Sequence, residues 1–323
     1  MSAVPEPKCW CWSDLPLVAF STEYVRCPDC QTLVSTGRLS DAELTVQDDE
    51  TSFYGKSYWL EHQKDDYGHP RIEDRARLDL RERCLHWLQT LLKYRLPPAR
   101  VLELGASHGG FVALMRQAGF DASGLELSPW VVDFARDTFA VPMVRGPIED
   151  QALEPGSLDV IVLMDVLEHL SHPEETLTHC FRLLKPGGVL LVQTPCYRYE
   201  SHEQLVASAN PFLRMLRAKE HLYLFSEKSL RLIMGRLGGW EVLLEPSLFP
   251  YDLFAVVSRR ELVPQDSKVL EAALERSRDG RMTAALLHLY ARAEYLQAEC
   301  DKRLAVIEAL DGELKCHRQT RNS

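Results

Sequence analysis

The sequence has no apolar run approaching the roughly 18 residues that a membrane-crossing helix needs. Its N-terminus, MSAVPEPKCWCW, lacks a basic segment followed by an apolar core, so no signal peptide is expected and the reading is cytoplasmic. Positive charge is in deficit: 37 Lys+Arg stand against 47 Asp+Glu, a formal net charge of −10. Extended contact with phosphate backbones would work against that surplus of carboxylate, which disfavours a nucleic-acid substrate. Proline is missing from Val269 to Cys316, and glycine occurs there only at Gly280 and Gly312, so little interrupts a helix. In a reducing compartment scattered disulfides are not expected, so clustered cysteines point to metal and isolated ones to packing.

What is present is an ordinary globular balance, 46% hydrophobic and 26% charged over 323 residues, enough for one α/β domain with smaller appendages. Four segments are expected. Residues 1–50 form a small cysteine module and 51–98 an aromatic and helical lid and linker, with Tyr58-Trp59, His62, Tyr67 and His69. Residues 99–260 form the main domain and 265–318 a helical extension. A helical period runs from about Asp74 to Tyr94 through Leu78, Leu85, Leu88 and Leu92, and Pro97-Pro98 ends it.

Strand and helix then alternate. Val101–Leu104, Ala122–Leu127, Met143–Val144, Leu158–Met164 and Val189–Gln193 read as strands. Gly110–Ala118, Pro129–Phe139, Glu174–Leu184 and Glu227–Leu237 read as helices. Glu241–Leu244 and Phe254–Ser258 are expected to pair as an antiparallel edge. This pattern predicts an α/β fold with a doubly wound, mostly parallel sheet. In the extension, Leu286, Tyr290, Ala293, Leu296, Cys300, Leu304, Ile307, Leu310 and Leu314 recur every three or four residues. That stripe suits packing on the chain's own domain or a coiled coil with a second copy or a partner enzyme.

A ligand in such a sheet lies beyond the carboxyl ends of the strands. There the chain reads VLELGASHGGF. Gly105 permits a tight turn and close approach of a ligand, and Gly109 opens the next helix. A dinucleotide fingerprint would place glycine at 103, where this chain has Glu103, a residue suited to an ammonium. Glu126 ends the second strand, where a carboxylate can accept ribose hydroxyls. Ile148 and Glu149 follow the third strand and can frame an adenine. Met164 and Asp165 end the fourth.

In this order and spacing, VLELGASHGGF, GLELS, GPIED, SLDVIVLMDVLEHLSHP and LLKPGGVLLVQTP resemble the class I S-adenosylmethionine-dependent methyltransferases, closely over residues 99–195. The resemblance implies a seven-stranded Rossmann-like fold and S-adenosylmethionine held by Glu103, Gly105, Gly109, Glu126, Ile148, Glu149, Met164 and Asp165. A sequence with these motifs but no turnover, a binding scaffold, is the reading from another class.

Cys9, Cys11, Cys27 and Cys30 form C-x-C and C-x2-C pairs, a soft donor set for a structural zinc ion. Cys84, Cys180, Cys196, Cys300 and Cys316 are isolated. The cysteine pairs followed by Tyr58-Trp59 are similar to methyltransferases of sugar and polysaccharide biosynthesis that carry an N-terminal zinc ribbon. That resemblance implies a sugar, nucleotide-sugar or glycan acceptor, methylated on oxygen before carbon. It also implies an active site at Glu220 and His221, with Tyr58 over the methyl group or the substrate.

A histidine can take a proton near neutral pH with a carboxylate beside it. His221 is the candidate base and His169, after the fourth strand, its rival. Asp165-x-x-Glu168-His169 also resembles the metal-binding motif of small-RNA 2′-O-methyltransferases. The Val-Leu-Glu-His run resembles ubiquinone-pathway O-methyltransferases, which act on quinone-like acceptors.

Overall fold

Residues 160–163 are apolar on both sides of the chain, so their strand can be stable only with both faces covered. In the computed structural model, which describes residues 7–65, 68 and 70–321 and side chains through 312, this strand lies at the middle of the larger of two sheets. Tyr67 and His69, and the side chains of Leu314 and Cys316, lie outside what is described.

The chain starts with three short antiparallel strands, β1 (Val18–Ala19), β2 (Tyr24–Arg26) and β3 (Leu33–Ser35). The large sheet follows with β4 (Arg100–Leu104), β5 (Asp121–Glu126), β6 (Met143–Arg145), β7 (Leu158–Met164) and β8 (Leu184–Pro195). A two-residue strand, β9 (Tyr223–Leu224), precedes β10 (Glu241–Glu245) and β11 (Asp252–Ser258). The order of the large sheet is β10-β11-β8-β7-β4-β5-β6. β4 to β8 run parallel, and β11 and β10 are antiparallel at one edge, as the sequence predicts. The winding reverses between β4 and β7, which opens a crevice at their carboxyl ends.

Alternate residues of β7 serve two cores. Ile161 and Leu163 pack with Leu177, Phe181, Leu230 and Ile233 on one face. Val160 and Val162 pack with Leu88, Leu91, Phe111 and Met115 on the other.

The structure departs from the sequence reading in three places. First, the expected turn at Pro186-Gly-Gly lies within β8. The register shifts between Leu158 and Val160, so that Leu184 pairs with Leu158 and Val189 with Val160, and the irregularity absorbs the extra residues. Second, the helix before the sheet starts at Ile72 and contains a π-helical turn, Leu80–Cys84, before it continues as Leu85–Tyr94. Third, the last helix, Arg278–Arg321, meets the body through Thr283, Ala284, Leu287 and the expected Tyr290, whereas Leu286 faces outward at 40% exposure. Beyond that contact Leu296, Leu304, Ile307 and Leu310 are all exposed.

The small sheet does not close on residues 1–50. Its order is β1-β2-β3-β9, with Leu33 opposite Leu224 and Val34 opposite Tyr223. Its fourth strand thus comes from the segment that follows β8. Among the described residues, no helix is long and apolar enough to cross a membrane.

Because β8 is covered on both faces and the far part of the last helix is not, their leucines should respond differently. Leu191→Ala, at a fully buried site, should lower the unfolding free energy by about 2–5 kcal/mol. Leu304→Ala, on the exposed helix, should change it by less than about 0.5 kcal/mol. Urea unfolding of both variants measures the contrast.

Candidate active site

The loop after β4 turns sharply because Gly105 adopts φ +61°, and a Cβ there would stand 2.7 Å from Val166 Cγ2. Gly109, at φ +78°, caps the helix Gly110–Ala118, and a Cβ would press on Ala135 and Val141 at 3.0 Å each. The crevice beside this loop opens into a cavity of about 1070 Å³. Every candidate cofactor residue named above except Gly109 lines it.

Two carboxylates shape this end. Glu103 is buried, and its Oε2 has no hydrogen-bond partner among the described residues. Burial, reinforced by Glu126, holds its carboxyl well above the usual range. Glu126 accepts backbone N–H groups from Leu127 at 2.7 Å and Ser107 at 3.1 Å. Burial still outweighs those bonds and raises its pKa. Ser107 Oγ is a second buried atom without a described partner. An unpartnered carboxylate oxygen and hydroxyl beside a glycine turn fit the ammonium, ribose and carboxylate groups of S-adenosylmethionine. Ile148 is buried in the short turn after β6, and Glu149 accepts from Thr176 Oγ1 at 2.6 Å.

The far end of the cavity is built from β7, β8, β11 and the Arg217–Leu222 loop. Asp165, at φ +56°, accepts from Arg83 Nη1 at 2.8 Å and Gln193 Nε2 at 2.9 Å. Asp252, 4% exposed, is pushed up to about 8 by burial and by Asp165. Glu168, also buried, accepts from Thr194 Oγ1 at 2.9 Å, and burial and Asp165 hold its carboxyl well above the usual range.

His169 Nδ1 lies 3.0 Å from the Glu220 carbonyl, which can only accept, so Nδ1 carries the hydrogen; the Tyr54 hydroxyl is 3.1 Å away. His221 Nδ1 is 2.7 Å from the Met215 carbonyl and is fixed in the same way. Burial lowers both pKa values and so favours the neutral rings; with Nδ1 carrying the hydrogen, Nε2 is the ring nitrogen left to accept a proton. The rings meet edge to face at 4.9 Å. Ligand atoms of Glu168, His169 and His221 lie within 4.8 Å of one another, a spacing that a divalent cation can bridge. Glu220 is fully buried, accepts from the Tyr58 hydroxyl at 3.1 Å, and pairs with His62 Nε2 at 2.9 Å.

The sequence-predicted residues Tyr58, His169, Glu220 and His221 are thus brought together at one end of the cavity, opposite Glu103 and Glu126. Glu220 and His221, though adjacent, point to different partners: Glu220 to Tyr58 and His62, His221 to Met215. Sequence reasoning missed Tyr54, Arg83, Tyr251 and Asp252, which line the same cavity. It also missed the partners of Asp49, which accepts from Ser128 Oγ at 2.6 Å and Trp130 N at 2.8 Å, and so ties the 41–62 segment to the start of the helix Pro129–Phe139. The π-helical turns Tyr58–His62 and Leu80–Cys84 place Tyr58 and Arg83, and no sequence period announces a π turn.

The four N-terminal cysteines come together beside the turn between β2 and β3, which carries Cys27 and Cys30. Their Sγ atoms lie within 4.8 Å of one another, with Cys9 and Cys30 at 3.4 Å and Cys11 and Cys27 at 3.6 Å. Tetrahedral thiolate ligation at about 2.3 Å from zinc requires S···S separations of about 3.8 Å, so the set fits. Cys84, Cys180 and Cys196 are buried, and Cys300 is exposed.

The raised pKa of Glu103 has a stability consequence with a definite sign. A carboxyl whose folded pKa exceeds its unfolded value contributes stability that is complete below the unfolded pKa and lost as pH rises through the folded one. Over that window the ligand-free protein should lose up to about 1.4 kcal/mol per pH unit through this group. Glu103→Gln removes the dependence, so its stability relative to the parent should grow with pH in urea unfolding series at pH 5 to 9. A pH-independent difference would refute the buried, unpartnered carboxyl.

Parts of the chain are similar to known proteins. Ubiquinone biosynthesis O-methyltransferase of Xanthomonas campestris pv. campestris is 33% identical over 134 residues, 40% of this chain and 56% of that one. The Bordetella avium protein of the same name is 31% identical over 145 residues, 43% of this chain and 60% of that one. The chain therefore spans a little over half the length of these relatives. Among solved structures, a Thermotoga maritima S-adenosylmethionine-dependent methyltransferase, described as a possible histamine N-methyltransferase, aligns at TM-score 0.43 and 22% identity, over 58% of this chain and 94% of that one. A family profile described as a methyltransferase domain matches residues 76–244, more than half of the sequence, and with it the chain belongs to the S-adenosylmethionine-dependent methyltransferases.

Proposed function

We propose that this methyltransferase methylates a hydroxyl oxygen of a small, aromatic or quinol-like acceptor, with a histidine as general base. One observation carries the reading. Two neutral imidazoles, His169 and His221, each with Nδ1 tied to a backbone carbonyl, stand in the wall of the cavity that also holds Glu103 and Glu126. Tyr54, Tyr58, Trp59 and Tyr251 line that cavity, an aromatic lining of the kind that packs against a flat acceptor.

S-adenosylmethionine supplies a methyl group already activated on a sulfonium. Glu103, Gly105, Glu126, Ile148 and Met164 would hold it. What remains for the chain is to orient the acceptor and take its hydroxyl proton on an imidazole Nε2. The carboxylate of Glu220 keeps Tyr58 and His62 in place around that corner. The names of the Xanthomonas and Bordetella relatives favour a small aromatic acceptor over the sugar or glycan implied by the cysteine module, although they match only part of each chain.

A second reading, metal-assisted transfer, is favoured by the convergence of Glu168, His169 and His221. Here Asp165, the first residue of the sequence motif, is engaged by Arg83 and Gln193, and His221 takes its place. We further propose that Cys9, Cys11, Cys27 and Cys30 hold a structural zinc ion.

S-adenosylhomocysteine release, measured over a panel of catechols, quinols, sugars and nucleotide sugars, tests the main reading. Turnover is expected with the phenolic members, and His169→Gln or His221→Gln should reduce kcat about 10²- to 10⁴-fold. Turnover with sugars alone would overturn the acceptor class, and full activity of both variants the histidine base. Loss of turnover on treatment with a chelator, restored by magnesium or manganese, would select the metal-assisted form.

For the cysteine module, elemental analysis should find one zinc per chain, and Cys27→Ser should lose it together with thermal stability. A folded, zinc-free parent protein would contradict the assignment.

A further inference from the structure

The loop that carries Glu220 and His221 is held mainly by a part of the chain almost two hundred residues away. Within it, the N–H groups of Glu220 and His221 both turn back to the Arg217 carbonyl, at 2.9 and 2.8 Å. The carbonyls on its outer side find partners elsewhere. Ala218 O accepts from Ser35 Oγ at 2.5 Å, His221 O from the Tyr24 hydroxyl at 2.8 Å, and Leu222 O from Ser35 N at 3.0 Å. Those three donors belong to β2 and β3 of the cysteine module. On the inner side, His169 Nδ1 holds the Glu220 carbonyl, and the Glu168 carbonyl accepts from Leu222 N at 2.8 Å.

Tyr24 has no exposed surface, and it packs in one apolar cluster with Leu33, Leu224, Phe212 and Met215. Met215 supplies the carbonyl that fixes His221 Nδ1. Both anchors of the His221 residue, its own carbonyl and its ring Nδ1, therefore lead back to Tyr24: one by direct hydrogen bond, the other through packing.

We propose that Tyr24 is a positioning residue for the active site: by donating to the His221 carbonyl, it sets the orientation of the imidazole that faces the acceptor. The proposal rests on the reading of His221 as an active-site group, and it gives the cysteine module a function beyond its own stability. Removal of the hydroxyl leaves a buried carbonyl without its donor and loosens the loop at that residue, while the bonds to Ala218, Glu220 and Leu222 still hold its flanks. Displacements of about 1 Å at a reacting centre reduce rates about 10²-fold. Cofactor affinity should be untouched, because Glu103, Gly105 and Glu126 lie on β4, on β5 and in the loop between them.

Tyr24→Phe tests the idea, with Tyr197→Phe as control. Tyr197 is buried in the same cluster, and its hydroxyl donates to the Glu200 carbonyl at 3.1 Å, away from His221. In the full-length protein, calorimetry should give an S-adenosylhomocysteine affinity within about twofold of the parent for both variants. Long-range 1H–15N spectra of the histidine rings, with His221 assigned by its loss in His221→Gln, should show displaced His221 signals in Tyr24→Phe alone. Turnover on the phenolic acceptor should fall ten- to hundredfold in kcat for Tyr24→Phe and stay within twofold for Tyr197→Phe. Ser35→Ala, which removes only the hydroxyl bonded to Ala218, should displace the same ring signals to a smaller extent and serves if Tyr24→Phe does not fold. Unshifted His221 signals in Tyr24→Phe, or equal shifts in Tyr197→Phe, would overturn the proposal. Displaced signals together with full turnover of His221→Gln would instead overturn the role of His221 and leave the positioning effect standing.

Discussion

The pairing of Leu33-Val34 with Tyr223-Leu224 is the contact on which the end of the cavity holding Glu220 and His221 depends. Strands of two and three residues have no independent stability, and each side of this pair needs the other. The cysteine module gains a fourth strand that covers the edge of β3. The segment after β8 gains a fixed register, which places Glu220 against Tyr58 and His62, and His221 against Met215. Thiolates that bind one metal ion would make this small sheet a rigid clamp, although it has too few residues for a core of its own.

A second constraint is the number of carboxyls placed out of water. Glu103, Glu126, Glu168 and Asp252 are all buried along one cavity, and each is held above its ordinary pKa. Burial of this kind works against stability unless a ligand completes the site, because each carboxylate has lost its hydration and Glu103 Oε2 has no partner among the described residues. Positive φ at Ser107 and Asp165, both just past a strand end, adds backbone strain in the same place. The covered faces of β7 and β8 supply the stability that lets these groups remain.

The grouping of Glu103, Gly105, Glu126, Ile148 and Met164 along one cavity was legible in the sequence because its determinants are local. Glu103 and Gly105 lie on one strand end, and Glu126, Ile148 and Met164 fall at or just past the ends of three more. A parallel sheet brings consecutive strand ends to one edge without further information. The end of the cavity that holds Glu220 and His221 was legible only in part. These two residues and Tyr58 were marked by resemblance, but Glu220 meets Tyr58 and His62 from one distant π turn, His221 meets Met215 six residues earlier, and Arg83 and Asp252 carry no local motif. In the last helix, the sequence period named Leu286 and Tyr290 for a packing stripe; Tyr290 does pack on the body, but beside Thr283, Ala284 and Leu287 rather than Leu286. A repeat of three or four residues fixes a face but not which neighbour it meets.

The sequence by itself determined the alternation of strand and helix, the parallel sheet, the glycine turn with its two acidic neighbours, and the spacing of four cysteines. All of these follow from short-range periodicity and backbone conformation. The tertiary structure alone decided that a strand from residues 223–224 would complete the cysteine module. It also decided that two histidines distant in sequence would meet edge to face beside Glu168, and that a tyrosine near the N-terminus would hold the carbonyl of one of them. Contacts between such distant segments depend on how separately folded elements fill one another's open edges and orphan carbonyls, and no local pattern in the chain encodes that.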